Sequence, residues 1–333
     1  LAAGFIDPRA IPGRGMREMV VEARRQFLAS DAGIGIDLFF GGGQYDHQRQ
    51  AEKGYAVDAG IRQLHPEWFT PEVIPQRFSG EIFYDPAGRY YGTCLATFGI
   101  CWNHDRIREL SAAPPRSWRD LGDPVFFRSL AIADPTKSGS VNKCYEMILQ
   151  QQMAAAVAAD PVNGRITGWA NGLNLIKRIA ANSRVVTDSA SKVPHDTAAG
   201  NAAAGICIDF YGQSEAEWSA ARNNGMPRLE FSCPTDGTSV SADPIQLLRG
   251  APNRKTAIAF IEFALSEDGQ KLWAFRQGTP GGPTKYSLRR LPIRRDFYRP
   301  ENRQYMSAPD MNPYQLCAGF EYHPEWTGKY FNL

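Results

Sequence analysis

Asp134-Pro135-Thr136-Lys137-Ser138-Gly139-Ser140 runs from the apolar stretch Leu130-Ala131-Ile132-Ala133 straight into a helical pattern over 141–153. The apolar stretch reads as a buried strand that Pro135 stops, and the small polar residues after it fall on a helix N-terminus. A strand that passes to a helix through a short loop is the repeating unit of an α/β sheet. The first N–H groups of a helix lack intrahelical acceptors and its dipole is positive there. The Ser138 and Ser140 hydroxyls together with the free amides therefore outline an anion site. Capping without any ligand accounts for the same residues and stands beside that reading.

The same alternation extends outward along the chain. Residues 36–40, 91–102 and 202–208 read as further strands, and 16–30, 141–159, 168–181 and 255–275 as helices. This is an α/β chain. Three more strand ends carry chemistry. Gly41-Gly42-Gly43-Gln44-Tyr45-Asp46 follows the 36–40 strand, where glycines let backbone approach a ligand or simply make a tight turn. Asp209-Phe210-Tyr211-Gly212 ends the 202–208 strand and presents an acid and a phenol. Thr238-Ser239-Val240-Ser241-Ala242-Asp243-Pro244 adds hydroxyls, as a fourth turn or as an edge strand. No dinucleotide fingerprint or P-loop is complete, so no nucleotide cofactor is expected.

Composition bounds the class. The chain has 333 residues, 43% hydrophobic and 22% charged, enough for two domains of a globular protein. A net charge of +2 gives no support for phosphate-driven nucleic-acid binding. No apolar run reaches transmembrane length, and Leu1-Ala2-Ala3-Gly4 lacks the basic flank and length of a signal peptide, so an upstream piece is expected to be missing. The six cysteines include no C-x-x-C pair and no zinc spacing; Cys94, Cys101 and Cys207 are expected as buried thiols, with disulfides left open. No catalytic motif pairs any of the five histidines with a nucleophile. The basic run Arg289-Arg290 with Arg294-Arg295 reads as a solvated face, and the repeated His-Pro-Glu-Trp at 65–68 and 323–326 as coincidence.

The four loop motifs, together with 205–209, 243–253 and Ser266-Glu267-Asp268-Gly269-Gln270-Lys271-Leu272-Trp273, resemble the periplasmic type II solute-binding proteins of ABC importers, in their ferric-iron and anion branch. The resemblance implies two α/β lobes that close on ligand by a hinge. Lobe one would be built from 1–98 and 240–333, incomplete at its N-terminal side, and lobe two from 99–239. It implies anion contacts from Ser138, Gly139 and Ser140 and Tyr211 as a ligand- or metal-binding phenol; Lys137, Gly42, Gly43, Tyr45, Asp209, Thr238 and Ser239, read from the loops themselves, complete the candidate ligand contacts. Phe210-Tyr211 departs from the adjacent tyrosines usual in iron binders of this branch. The expected protein is an extracytoplasmic or periplasmic monomer that captures a small anionic solute: a phosphonate, phosphate ester or carboxylate, or ferric iron with an anion. It passes the solute to an ABC permease, its only link to the membrane, without catalysis or a resident cofactor. An enzyme using Asp209 or Asp46 as base on a phosphate- or carboxylate-bearing substrate, or a sensory ligand-binding domain, are the alternatives.

Overall fold

The computed structural model describes residues 15–328; Leu1 to Gly4 and the outer ends of the expected lobe one lie outside them. Eleven strands appear in chain order: β1 Leu38–Phe40, β2 Ala56–Val57, β3 Arg77–Phe78, β4 Glu81–Ile82, β5 Tyr91–Asn103, β6 Leu130–Ala133, β7 Ser183–Thr187, β8 Ala204–Ile208, β9 Leu229–Ser232, β10 Val240–Leu248 and β11 Leu291–Pro292. All but the β3–β4 hairpin belong to one sheet of order β1-β10-β5-β8-β6-β7, with β2 on β10 and β9 and β11 on β5.

Strand β5 organises the molecule. Every one of its residues is buried, the polar Thr93, Thr97 and Asn103 included. Its first half pairs with β10, from Tyr91↔Ile245 to Thr97↔Val240, and its second half with β8, from Phe98↔Ile208 to Trp102↔Ala204. The core divides at the same point. Tyr91 and Leu95 pack with Ile245, Leu247, Ile261 and Leu265, whereas Phe98, Ile100 and Trp102 pack with Leu130, Met147, Ile148 and Ile206. Two hydrophobic bodies thus share one strand, and the chain passes between them at Thr97–Phe98 and again along 233–239. Phe320 joins the second core, and Tyr322, His323 and Thr327 bond the Gly139–Ala159 helix, so the C-terminal stretch leans on both bodies.

The Gly139–Ala159 helix starts two residues before the expected position, capped by Ser138, and ends at Asp160-Pro161. It packs on the Gly164–Ala181 helix through Gly164, Gly168 and Gly172. A Cβ on Gly168 would sit 2.3 Å from the Met153 Cα, so only glycine permits this approach. The expected long helix over 255–275 is two, Arg254–Leu265 and Glu267–Ala274: Ser266 is extended and its hydroxyl accepts from the Gly269 amide, which opens a new helix. The two His-Pro-Glu-Trp strings share a local device. In each, proline opens a short helical turn and the histidine stacks on the tryptophan, at 3.8 Å for His65–Trp68 and 4.0 Å for His323–Trp326.

Candidate functional site

Strands β6, β7 and β8 run parallel, so their carboxyl ends share one sheet edge. Chain order then places Asp134–Ser138, Asp188–Ser189 and Asp209–Tyr211 side by side on that edge, where an α/β sheet opens its crevice. Because Ile208 pairs with Phe98, the edge abuts the β5 crossover. The turn after β1 reaches the same region from the other body: Phe40 pairs with Ile245, and the Gly41 amide donates to Pro244 O at 2.9 Å. Gly41 and Gly42 have φ of +82° and +84°, left-handed values that favour glycine. His47, fully buried, holds this turn through Nε2 to Gly41 O at 2.9 Å and stacks on Phe39. Burial pulls its pKa down, so it is neutral at physiological pH and donates that bond.

The Ser138 hydroxyl lies 3.2 Å from that of Ser140 and 3.4 Å from the Val141 amide. Gly139 and Lys137 are exposed beside them. Asp134 holds the loop by accepting from the Thr136 amide and hydroxyl, and those bonds keep its carboxyl below the usual range. Tyr211 is half-buried on the first turn of the Asp209–Ala221 helix, and Tyr45 is exposed on the Gln44–Glu52 helix.

Three expected contacts face inward. The Asp209 carboxylate accepts from the Thr97 amide at 2.8 Å, the Thr97 hydroxyl at 3.2 Å and the Phe210 amide at 2.7 Å. Thr238 Oγ1 accepts from the Phe98 amide, and the Ser239 hydroxyl donates to Glu81. All three are buried and hold the crossover together. Burial pushes the Asp209 pKa up to about 6, against the pull of Arg290. The folded chain therefore binds this proton more tightly than the unfolded chain does. The Asp209 contribution to stability falls as pH rises from 3.8 to about 6 and is level above that. Urea unfolding should show the wild-type stability dropping relative to Asp209→Asn across that interval; a difference independent of pH contradicts this.

Of the arginine run only Arg295 is exposed; the other three do not form a solvated face. The Arg290 side chain is only 10% exposed, pairs with Asp243, and lies 4.5 Å over the Phe210 ring. Arg289 crosses to Glu217 on the Asp209–Ala221 helix at 2.6 Å, and Arg294 pairs with Asp296. Strand β11, beside β5, carries Arg290 into the interior between the bodies. Reading the run without that pairing missed it. Also missed were the Asn142 and Gln213 side chains, on the two helices that open at the edge, which hold buried polar atoms without a protein partner. Such atoms need a partner from elsewhere.

A cavity of about 510 Å³ lies elsewhere, between Phe27 and Leu28 of the Met16–Ala29 helix and Tyr55, Leu248 and Arg249. Its walls are mostly apolar, with Arg24 and Arg249 at the lining. Among the described residues no three His, Cys, Asp or Glu side chains group to hold a metal, and no helix is long and apolar enough to cross a membrane.

Comparison with known proteins bears on the family and the fold. An uncharacterized protein of Haemophilus influenzae is 26% identical over 247 residues, 73% of this chain and 61% of its own length. The phosphoglycerate transport regulatory protein PgtC of Salmonella typhimurium is 25% identical over 219 residues, 66% of this chain and 47% of its own. The chain thus spans about half to three fifths of these relatives. The fold matches the periplasmic binding protein AfuA of Actinobacillus pleuropneumoniae with fructose-6-phosphate bound, at TM-score 0.51 and 24% identity over 71% of this chain and 65% of that one. It also matches an ABC transporter structure from Clostridium perfringens, at TM-score 0.60 and 16% identity over 94% and 85%. These neighbours have the two-lobed periplasmic-binding-protein fold. Residues 35–304 match the family model described as bacterial extracellular solute-binding protein, and the chain belongs to that family.

Proposed function

We propose that this chain captures a small anionic solute outside the cytoplasm and delivers it, chemically unchanged, to an ABC permease. The observation that carries this is the convergence of two helix N-termini, at Gly139 and Asp209, on one sheet edge at the β5 crossover. Backbone N–H groups, the Ser138 and Ser140 hydroxyls and the Lys137 ammonium would hold the charge. Tyr211, Gly42, Gly43 and Tyr45 would line the cleft, and the unpartnered Asn142 Oδ1 and Gln213 amide would meet the neutral part of the solute. Asp209, Thr238 and Ser239 keep the crossover in shape. The names of the Salmonella and Actinobacillus relatives favour a phosphate ester among anions.

The lobes in this reading are 1–98 with 240–333 and 99–239, working as a monomer, and Arg289–Glu217 ties them on closure. Asp209 is a poor general base, since its oxygens are enclosed by Thr97 and Phe210, which weighs against the enzyme reading. Ferric iron with an anion is a second reading, favoured by the half-buried Tyr211 phenol at the mouth of the same helix.

Thermal unfolding against inorganic phosphate, fructose 6-phosphate, 3-phosphoglycerate, citrate and ferric citrate tests the proposal. A solute at a hundred times its Kd stabilises the folded chain by about 2.7 kcal/mol, a rise of several degrees. A rise with a phosphate ester, recovered intact afterwards, is expected. No rise with any of the five, or conversion of the solute, overturns it.

A further inference from the structure

Two thiols that the cleft does not use meet where the bodies join. Cys233 follows β9 and opens the segment that returns the chain to β10, and its thiol donates to Thr97 Oγ1 at 3.4 Å, at the β5 crossover. Cys317 ends the short Pro313–Leu316 helix and packs in the first core, 2% exposed. The neighbouring Cys233 thiol pushes the Cys317 pKa up, ahead of burial. The segments that carry them are pressed together: a Cβ on Gly319 would come 1.9 Å from Asp236 Oδ1. Both are also tied down from outside. Gln151 Nε2 donates to Thr235 O at 2.9 Å and Asp236 O at 3.1 Å, and the Tyr314 hydroxyl donates to Ile293 O at 2.5 Å. Cys101 and Cys207 also touch, but both are fully buried in the second core, where an oxidant has no path. Cys233 is only partly buried.

We propose that Cys233 and Cys317, both thiols in this structure, form a disulfide in an oxidising compartment, clamping the returning hinge segment to the C-terminal stretch that leans on both bodies. The oxidant is a small or protein disulfide. The Cys233 thiolate attacks one of its sulfurs and displaces a thiolate. Cys317 then loses its proton to water, attacks Cys233 Sγ in the mixed disulfide and releases the second thiolate. The cysteines give up two electrons and two protons, and the oxidant ends as two thiols. The loop closed carries β10, the Arg254–Leu265 and Glu267–Ala274 helices and β11, and constraining so long a stretch of unfolded chain raises the unfolding midpoint, by on the order of 5 °C.

The test is peptide mapping of the chain after incubation with oxidised glutathione at neutral pH and alkylation without reductant. The expected result is one linked peptide pair joining positions 233 and 317, with the other cysteines alkylated after unfolding. The midpoint should fall on adding reductant, a fall that Cys233→Ser abolishes and Cys101→Ser leaves. Alkylation at all six cysteines, or a link between Cys101 and Cys207 in place of the first, overturns the proposal. The mapping uses the unaltered chain, so it decides even where a variant fails to fold.

Discussion

Replacing Lys143 by methionine should cost about 3–5 kcal/mol of folding stability. The ammonium lies 3.0 Å from Glu81 Oε1 and 3.0 Å from Glu146 Oε2, and 3.5 Å over the Tyr322 ring. Burial alone would lower its pKa, but the two carboxylates outweigh that and hold it above the usual lysine value. Glu81 and Glu146 are themselves buried, at 5% and 1% exposed. Ser239 donates to the first, and Tyr322 and Thr327 to the second. Methionine fills the space of the stem but leaves two enclosed carboxylates facing each other. Urea unfolding measures it; a change below about 1 kcal/mol, within the range of exposed pairs, contradicts the network's role. The network joins β4 to the Gly139–Ala159 helix, one turn beyond the candidate anion contacts, so the variant should also loosen the site.

Arg290→Met should be about as costly, about 3 kcal/mol, with a pH dependence of known sign. The guanidinium pairs with Asp243 and lowers the pKa of both Asp243 and Asp209, partly offsetting the rise that burial imposes on each. Without it both acids climb further. The variant's deficit should therefore be smaller near pH 5, where Asp209 is mostly protonated, and grow towards pH 8, where ionising the two acids in the interior costs most. Unfolding midpoints at the two pH values read this directly. A deficit equal at both would mean that Arg290 acts through packing on Phe210 alone.

Much of the fold was legible from the residues. Alternating apolar runs and capped helices mark an α/β chain, and residues 91–102 read as the long strand that β5 proves to be. The loop 134–140 falls at a strand–helix junction as read, because a β-strand, a proline and a capping serine are local signals. What escaped was set by long-range pairing. Whether Arg290 is solvated depends on β11 lying against β5, and whether Asp209 opens to the cleft depends on Thr97, more than a hundred positions away in the chain. Neither is encoded within a window of neighbours. The break at Ser266 had a local signal, a serine followed by Glu267 and Asp268 in a first helical turn, but the apolar period on either side masked it.

The account rests on an anion held at the Gly139–Ala159 helix N-terminus. The most direct measurement is calorimetric titration of the best solute from the thermal panel into the wild type and into Ser140→Ala. Ser140 bonds Ser138 and caps nothing, so its loss should leave folding intact while removing one charge-assisted contact. The account predicts affinity reduced by about 1 kcal/mol or more, at least fivefold, with an unchanged unfolding midpoint in the absence of solute. Equal affinity in both proteins would place the solute elsewhere and contradict it.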